Sequence, residues 1–232
     1  MQPSSRRRRV LLLAAVLTLL AVLLAALAYA SEAEQALLGD AKATFLQTWS
    51  KRLQAMQSLH MVFTQEKTLR FLRQPLRTQG ELWLRGETLR YVLKNATGET
   101  ELSVRLDPQT VQTYYPLLQT LEVIDLRPTQ ASPPAVPFLV RDPAILEKTY
   151  EITLFAAADG HTLRLIPRQS QAPIAEMRLT LKDFQPQQFV QIETNGTRLT
   201  MQITTFTVNA DIRDGQLELP VPAGTQVTRP LP

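Results

Sequence analysis

The sequence contains no cysteine and only two histidines, and these absences exclude several classes of protein. Without cysteine there is no disulfide framework, and the lipid-modified N-terminal cysteine of a bacterial lipoprotein is excluded as well. His60 and His161 stand about a hundred residues apart, so no Cys/His cluster exists for a zinc site. Motifs for phosphate loops, dinucleotide binding and serine nucleophiles are also missing. We therefore expect no enzymatic activity, no metal and no cofactor.

The positive charge of the chain is concentrated at its start. Arg6–Arg9 precede an uncharged apolar run, Val10–Ala30, and the tripeptide Ala28–Ala30 before Ser31 fits the cleavage site of an export signal. Without these four arginines, 21 basic residues face 21 acidic ones, so the net charge of +4 belongs to the signal. A neutral remainder argues against nucleic-acid binding, which the high pI alone would suggest.

The N-terminal segment leaves two alternatives open. Its apolar run of about 21 residues exceeds the usual core of a signal peptide, about 7–15 residues, and is long enough to span a bilayer. Residues 1–30 are therefore either a cleaved signal peptide or a retained membrane anchor. Both alternatives place residues 31–232 outside the cytoplasm as one domain, which we expect in a bacterial periplasm.

Helical periodicity marks the first part of this domain. Apolar residues recur every three or four positions, which predicts an amphipathic helix over about 33–58, interrupted near Gly39 and packed on a sheet. Ser31 and Glu34 fit a capping box at its start. The apolar stripe consists of Phe45, Trp49, Leu53 and Met56.

From Leu59 onward, apolar and polar residues alternate, which is typical of strands. Turn signals at Gly86-Glu87, Asp159-Gly160 and Asn195-Gly196 separate about ten or eleven strands, the pattern of an antiparallel barrel or sandwich. Residues 117–147 break the alternation with five prolines, so we predict loop and short helical turns there. Because this segment is apolar, it is predicted to plug or cover a cavity.

Four stretches in order carry a resemblance to a known family. They are Leu59–Gln65, the Gly-x-Leu-Trp strand Gly80–Arg85, the Pro-Phe segment Val136–Leu139, and the closing stretch Leu217–Val227. Their order and spacing resemble the LolA family of periplasmic lipoprotein carriers, from about residue 41 to 227.

The resemblance implies a mainly β (α+β) fold. Its fold is an incomplete antiparallel β-barrel curled around an apolar cavity, with an N-terminal helix and a central helical or loop lid. It also implies a monomeric, non-enzymatic carrier that shields lipoprotein or other lipid acyl chains between the two membranes. An inner-membrane release complex and an outer-membrane acceptor would be its transient partners, and no nucleic acid would be.

Candidate residues follow from the alternation and the resemblance together. Arg85 stands near the position of an arginine that latches the lid in the family, although the proline that follows it there is missing. It is therefore either that latch or an ordinary exposed arginine at a strand end. The candidates for the cavity and lid, each either cavity lining or core, are Leu82, Leu84, Tyr91, Leu93, Phe138, Leu139, Phe155, Met177 and Phe206.

Two other functions stay open at the level of sequence. A membrane-tethered periplasmic sensor that binds a protein partner and lipids would fit a retained anchor. A purely structural envelope protein would have a solid interior, and an empty apolar cavity would argue against it.

Overall fold

Thirteen strands form one sheet in the computed structural model, which describes residues 35–37, 39–126, 142–157, 159–169 and 172–229. All neighbouring strands are antiparallel except β7 and β13, which run parallel. The strand order is β1-β8-β9-β10-β11-β12-β2-β3-β4-β5-β6-β7-β13. The edge strands β1 and β13 do not pair with each other, so the sheet is not closed. It matches the predicted incomplete barrel.

The strands are bounded as follows: β1 Gln35–Leu37, β2 Ser58–Thr68, β3 Leu76–Arg85, β4 Thr88–Lys94, β5 Thr100–Leu106, β6 Thr110–Tyr115, β7 Thr120–Asp125, β8 Tyr150–Ala157, β9 Gly160–Pro167, β10 Ile174–Lys182, β11 Gln185–Glu193, β12 Arg198–Val208 and β13 Gln226–Thr228. The described helices are α1 Asp40–Ala55, α2 Pro143–Thr149 and α3 Asp214–Leu217, with a 3-10 turn at Pro116–Leu118.

Helix α1 carries the predicted apolar stripe but starts later than expected. Phe45, Trp49 and Leu53 are buried at 6%, 2% and 5% exposure, which confirms the predicted packing on the sheet. The predicted start near residue 33 is wrong, because Gln35–Leu37 pair with β8 as a strand. Gly39, with a φ of 59°, turns the chain between strand and helix. The predicted capping box, Ser31 and Glu34, lies outside the described residues.

Three strands were not predicted, and one turn is displaced. The strands β1 and β13 have three residues each, and β7 lies in the proline-containing segment predicted as loop and helical turns. The prediction for Thr120–Asp125 is therefore wrong, because β7 pairs with β6 on one side and β13 on the other. Gly160 pairs with Ala157, so Gly160 belongs to β9 rather than to the turn that was predicted at Asp159-Gly160.

Alternation gives the sheet two different faces. We call the face that contacts α1 the helix face and the opposite one the back face. The helix face of β2 presents Leu59, Met61 and Phe63, which are at most 1% exposed. The back face presents His60, whose ring stacks on Trp83 at 5.8 Å and whose Nε2 lies 2.9 Å from Glu81 Oε1.

The C-terminal segment crosses the back face and is held there by arginines. Arg90 is 6% exposed, and its Nε donates to the carbonyl of Glu218 at 2.9 Å while its Nη1 donates to Ser103 Oγ at 2.5 Å. Burial lowers the pKa of Arg90 from its ordinary value. Ile212 and Leu217 of this segment are buried at 5% and 6% exposure. The back face of this part of the sheet is thus closed by the chain itself.

Gly80 is required by a close approach on the helix face. A Cβ on Gly80 would lie 1.9 Å from Cζ of Phe63, whose ring is fully buried and lies 5.7 Å from the ring of Tyr91. Because real Cβ contacts are never this short, any side chain at position 80 must displace the Phe63 ring.

We expect Gly80→Ala to destabilise the fold by about 1–3 kcal/mol, the usual cost of overpacking a core. Urea unfolding followed by circular dichroism measures the change. Gly215→Ala is the matched control, since a Cβ there meets nothing within 4 Å, and its free energy of unfolding should stay near that of the parent. Equal stability of both variants would contradict this account of Gly80.

Candidate functional site: the uncovered part of the helix face

Helix α1 covers only one half of the helix face. The ring of Phe45 lies 4.5 Å from His161 and 5.0 Å from Phe184, on β9 and the β10–β11 turn. Lys42 Nζ donates to the carbonyl of Ile152 in β8 at 2.8 Å. These contacts place the helix over β8–β11, which we call the covered half.

Residues of the covered half are fully packed. Each of the central ones is at most 1% exposed: Leu154, Leu163, Leu165, Met177, Leu179 and Leu181. Together with the apolar stripe of α1 they belong to the hydrophobic core, which also includes Leu59, Met61 and Phe63 of β2. Because these central side chains are closely packed, this half stabilises the fold.

The other half of the helix face, formed by β3–β7, is apolar but only partly buried. Strand register places five aliphatic side chains opposite one another across these five strands, and we call them the apolar row. The apolar row consists of Leu84, Leu89, Leu106, Val111 and Ile124. Leu59 of β2 continues the row into the core, opposite Leu84.

The apolar row is more exposed in its β5–β7 part than in its β2–β4 part, although Val111 between Leu106 and Ile124 is only half-exposed. Leu59 is fully buried, Leu84 and Leu89 are partly buried against the core, and Leu106 and Ile124 are 37% and 41% exposed. A continuous apolar surface that no described element covers is the type of surface that binds a ligand or a partner. Measured across four strand spacings, the row is about 19 Å long. That exceeds the thickness of one hydrocarbon leaflet of a bilayer, about 15 Å, so a whole acyl chain fits along it.

Polar groups on the helix face lie near the other end of β2 and β3. The hydroxyl of Tyr91 lies 3.4 Å from Gln65 Oε1, and burial raises the pKa of Tyr91 above its usual range. Thr78 Oγ1 is buried without a hydrogen-bond partner among the described residues. These polar groups interrupt the apolar surface at this end of β2 and β3. The continuous part of the apolar surface is therefore the apolar row.

The predicted binding residues divide between the two halves. Leu84, Tyr91 and Leu93 lie in the uncovered half and pack partly buried against the core. Leu82 is 1% exposed at the border of the two halves, and Met177, also 1% exposed, lies beneath α1 in the covered half. Phe206 packs partly buried on β12, between the halves. The structure thus brings Leu84, Tyr91 and Leu93 together and separates Met177 from them.

Phe155 is the one described candidate that lies on the back face. It pairs with Thr162, whereas its neighbour Leu154 pairs with Leu163 in the core. Since successive residues of a strand point to opposite faces, Phe155 lies on the back face and is not part of the apolar surface. The candidates Phe138 and Leu139 lie outside the described residues and stay predictions.

Arg85 binds the C-terminal segment. Its Nη1 donates to the carbonyl of Ile212 at 2.7 Å, and its Nη2 is paired with Asp214. As strict alternation predicts, Arg85 shares the back face with Trp83, opposite Leu84. A role as latch of the central segment stays a prediction, because residues 127–141 are outside the described part of the chain.

Four members of the apolar row were missed by the sequence reasoning. Leu89 and Leu106 alternate with residues that were assigned to strands, so the same period-two signal could have found them. Val111 starts the next predicted strand, and Ile124 lies in the unpredicted β7. The candidates chosen from the sequence were large apolar residues near the middle of each strand. This choice favoured buried core residues over the half-exposed residues of the apolar row.

A groove of about 540 Å³ lies at the end of β2, β3 and β12. Most of its lining is polar: Thr64, Gln65, Glu66, Arg77, Thr78, Gln79, Thr200 and Gln202, with Ala96. The Glu66–Arg77 pair in this lining is joined at 3.1 Å. Most of these lining side chains carry polar groups that need hydrogen-bond partners, which distinguishes the groove from the aliphatic apolar row.

Two further findings concern chemistry and membranes. Among the described residues, no group of three or more His, Cys, Asp or Glu side chains is arranged to hold a metal ion. Within the same residues, no helix has both the length and the apolar character needed to cross a membrane.

Sheet order and the partly covered apolar face define an open half-barrel, and the comparisons identify its family. The model of the family "Outer membrane lipoprotein carrier protein LolA" matches residues 54–218, so the chain belongs to the LolA family. A search of the curated proteins gives no match.

The solved structures that are similar to this chain are distant in sequence. An uncharacterized conserved protein from Thermus thermophilus is similar over 82% of this chain and 99% of its own, with 14% identity and a TM-score of 0.51. MucB in the MucA/MucB complex of Pseudomonas aeruginosa has 18% identity over 75% of this chain and 61% of its own, with a TM-score of 0.44. LprF from Mycobacterium bovis has 12% identity over 78% and 96%, with a TM-score of 0.34.

The two halves should respond differently to the same truncation. Leu163→Ala in the covered half should destabilise the protein by about 2–5 kcal/mol, as large-to-small changes in a core do. Leu106→Ala in the apolar row should change the free energy of unfolding by less than about 1 kcal/mol, because its side chain is already partly solvated. Urea denaturation of both variants tests this, and equal losses would indicate that the uncovered half is packed as a core.

Proposed function

We propose that this protein is a periplasmic carrier that binds the acyl chains of lipoproteins or related lipids and moves them from the inner to the outer membrane. The observation that carries the proposal is the apolar row, a continuous aliphatic surface half-exposed on an otherwise packed sheet face. Membership of the LolA family supports the same conclusion. In this proposal residues 1–30 are a signal peptide and residues 31–232 are the carrier domain.

The physical basis is the cost of apolar surface in water. Each methylene group removed from water contributes about 0.8 kcal/mol, so an acyl chain free in the periplasm is strongly disfavoured. Side chains that are already half-buried, such as Leu84 and Leu89, lose less water on binding than fully exposed ones would. Binding is therefore favourable but moderate, which suits a carrier that must release its cargo.

The carrier needs two exchange partners, one at each membrane. We propose an inner-membrane complex that loads the cargo and an outer-membrane acceptor that removes it, with the protein acting as a monomer between them. The apolar row becomes most exposed next to β7, close to the β13 edge of the sheet. In this proposal acyl chains enter and leave from that side.

The proposal predicts co-purification of lipid. Protein recovered without detergent from cells that express the full chain should carry acyl-chain species in native mass spectrometry, and extraction should identify them. Ile124→Glu places a carboxylate in the apolar row and should lower lipid occupancy at least about tenfold, because an acyl chain cannot solvate that charge.

Val227→Glu is the matched control for this variant. Val227 is a β-branched residue with similar exposure, 56% against 41% for Ile124, but it pairs with Leu121 on the back face of the adjacent strand. Its lipid occupancy should equal that of the parent. A parent protein that carries no lipid and takes up no added lipopeptide would contradict the proposal and favour the protein-binding sensor.

A further inference from the structure

The β2–β3 hairpin ends in an exposed apolar and basic tip. Phe71 is 81% exposed, and its neighbours Leu72 and Leu76 are 39% and 50% exposed. A backbone hydrogen bond from Leu72 N to the Leu69 carbonyl at 3.1 Å closes the turn. Exposing a phenylalanine to this degree is unfavourable in water. Transfer of the tip into an apolar environment would therefore be favourable.

The tip of this hairpin carries only basic charges. Between residues 67 and 77 there are four basic side chains, Lys67, Arg70, Arg73 and Arg77, and no acidic one. Arg77 is paired with Glu66, and the guanidinium of Arg70 lies against Gly196 in the neighbouring turn. Lys67 and Arg73 form no ion pair with any described residue. The tip therefore combines exposed apolar groups with free positive charge.

A second exposed apolar tip lies at the same end of the sheet. In an antiparallel sheet every second turn lies at the same end, so the β6–β7 turn lies at the end of the β2–β3 turn. It presents Leu117 and Leu118, which are 86% and 71% exposed. Four strand spacings separate the two tips, about 19 Å along the sheet. The intervening β4–β5 turn contains Glu99, whose carboxylate is hydrogen-bonded within that turn to Asn95 and Thr97.

The opposite end of the sheet differs in charge. Each hairpin turn there carries a carboxylate, namely Glu87, Asp107, Asp159 and Asp183. Asp107 is paired with Arg105, and Lys182 lies 3.9 Å from Asp159. An anionic surface would therefore attract the β2–β3 tip more strongly than the turns of the opposite end.

We propose that the end of the sheet formed by Phe71, Leu72, Leu117 and Leu118 docks on the surface of a membrane that contains anionic lipids. The apolar side chains enter the boundary between headgroups and acyl chains, and Lys67 and Arg73 contact lipid phosphates. A lipid surface explains the tips better than a protein groove does, since two separate convex tips can meet one flat layer together. This docking surface is distinct from the apolar row and does not depend on the cargo.

Site-specific fluorescence on the full chain tests the docking, because the sequence has no cysteine to interfere with labelling. Gln74→Cys places an environment-sensitive dye at the β2–β3 tip, and Glu87→Cys places the same dye in an exposed turn at the opposite end. Vesicles of phosphatidylcholine with about one-third phosphatidylglycerol should shift the emission of the dye at position 74 to the blue and leave position 87 unchanged. The comparison between the two positions separates docking by this end from membrane insertion of the apolar N-terminal run.

Substitutions within the tip measure its two contributions. In the Gln74→Cys protein, Phe71→Ser should weaken the response about tenfold in lipid concentration, and Arg73→Gln about fivefold. Lys51→Gln, an exposed charge on α1, should change nothing. Unchanged thermal unfolding would exclude a folding defect.

Three results would overturn the proposal. They are no response at position 74, equal responses at positions 74 and 87, and an equal response to pure phosphatidylcholine. Absence of any response would assign the tip to a protein partner instead. Lipid occupancy of the apolar row is measured independently, so failure of docking and failure of the carrier function give different results.

Discussion

One sheet that is apolar over most of one face constrains the whole structure. Thirteen strands at about 4.8 Å spacing extend over about 58 Å, whereas a helix of 16 residues is about 24 Å long and about 10 Å across. Helix α1 therefore covers only part of the helix face. Its contacts to Ile152, His161 and Phe184 fix it over β8–β11. The apolar row remains partly uncovered by the described elements because the only long helix among them lies elsewhere.

Part of the back face is also covered, and polar contacts hold the covering segment. There the C-terminal segment is held by hydrogen bonds from Arg85 and Arg90 to the carbonyls of Ile212 and Glu218. Burying Arg90 disfavours its charge, and hydrogen bonds to a carbonyl and to Ser103 offset that cost. These directional bonds need defined partners and cannot adapt to a variable ligand. Aliphatic contacts on the helix face have no such requirement, which makes that face suited to acyl chains of different length.

Elements with a strong local sequence signal were predicted correctly from the sequence, and elements with a weak one were not. The two-residue turn Gly86-Glu87 and the alternation around it correctly placed β3 and β4, and hence Leu84 opposite Leu89. In β8, apolar residues lie on both faces of the strand. The strand was therefore predicted, but the face of Phe155 was not. The strand β7 alternates, yet the prolines that follow it indicated loop. The three-residue strands β1 and β13 are defined by their partners alone, which no local pattern reveals.

The packed core and the proposed binding surface are separated in space within the one sheet. From Leu59 through Leu84 to Ile124, a single row passes from full burial to 41% exposure without leaving the helix face. The buried end is packed within the hydrophobic core, which contains α1, β2 and β8–β12, whereas Leu106 and Ile124 at the exposed end do not belong to that core. A lipid could therefore leave the row without loss of the fold. Such a division resolves the conflict that any carrier faces, since its binding surface must be apolar enough to hold an acyl chain and still tolerate being empty.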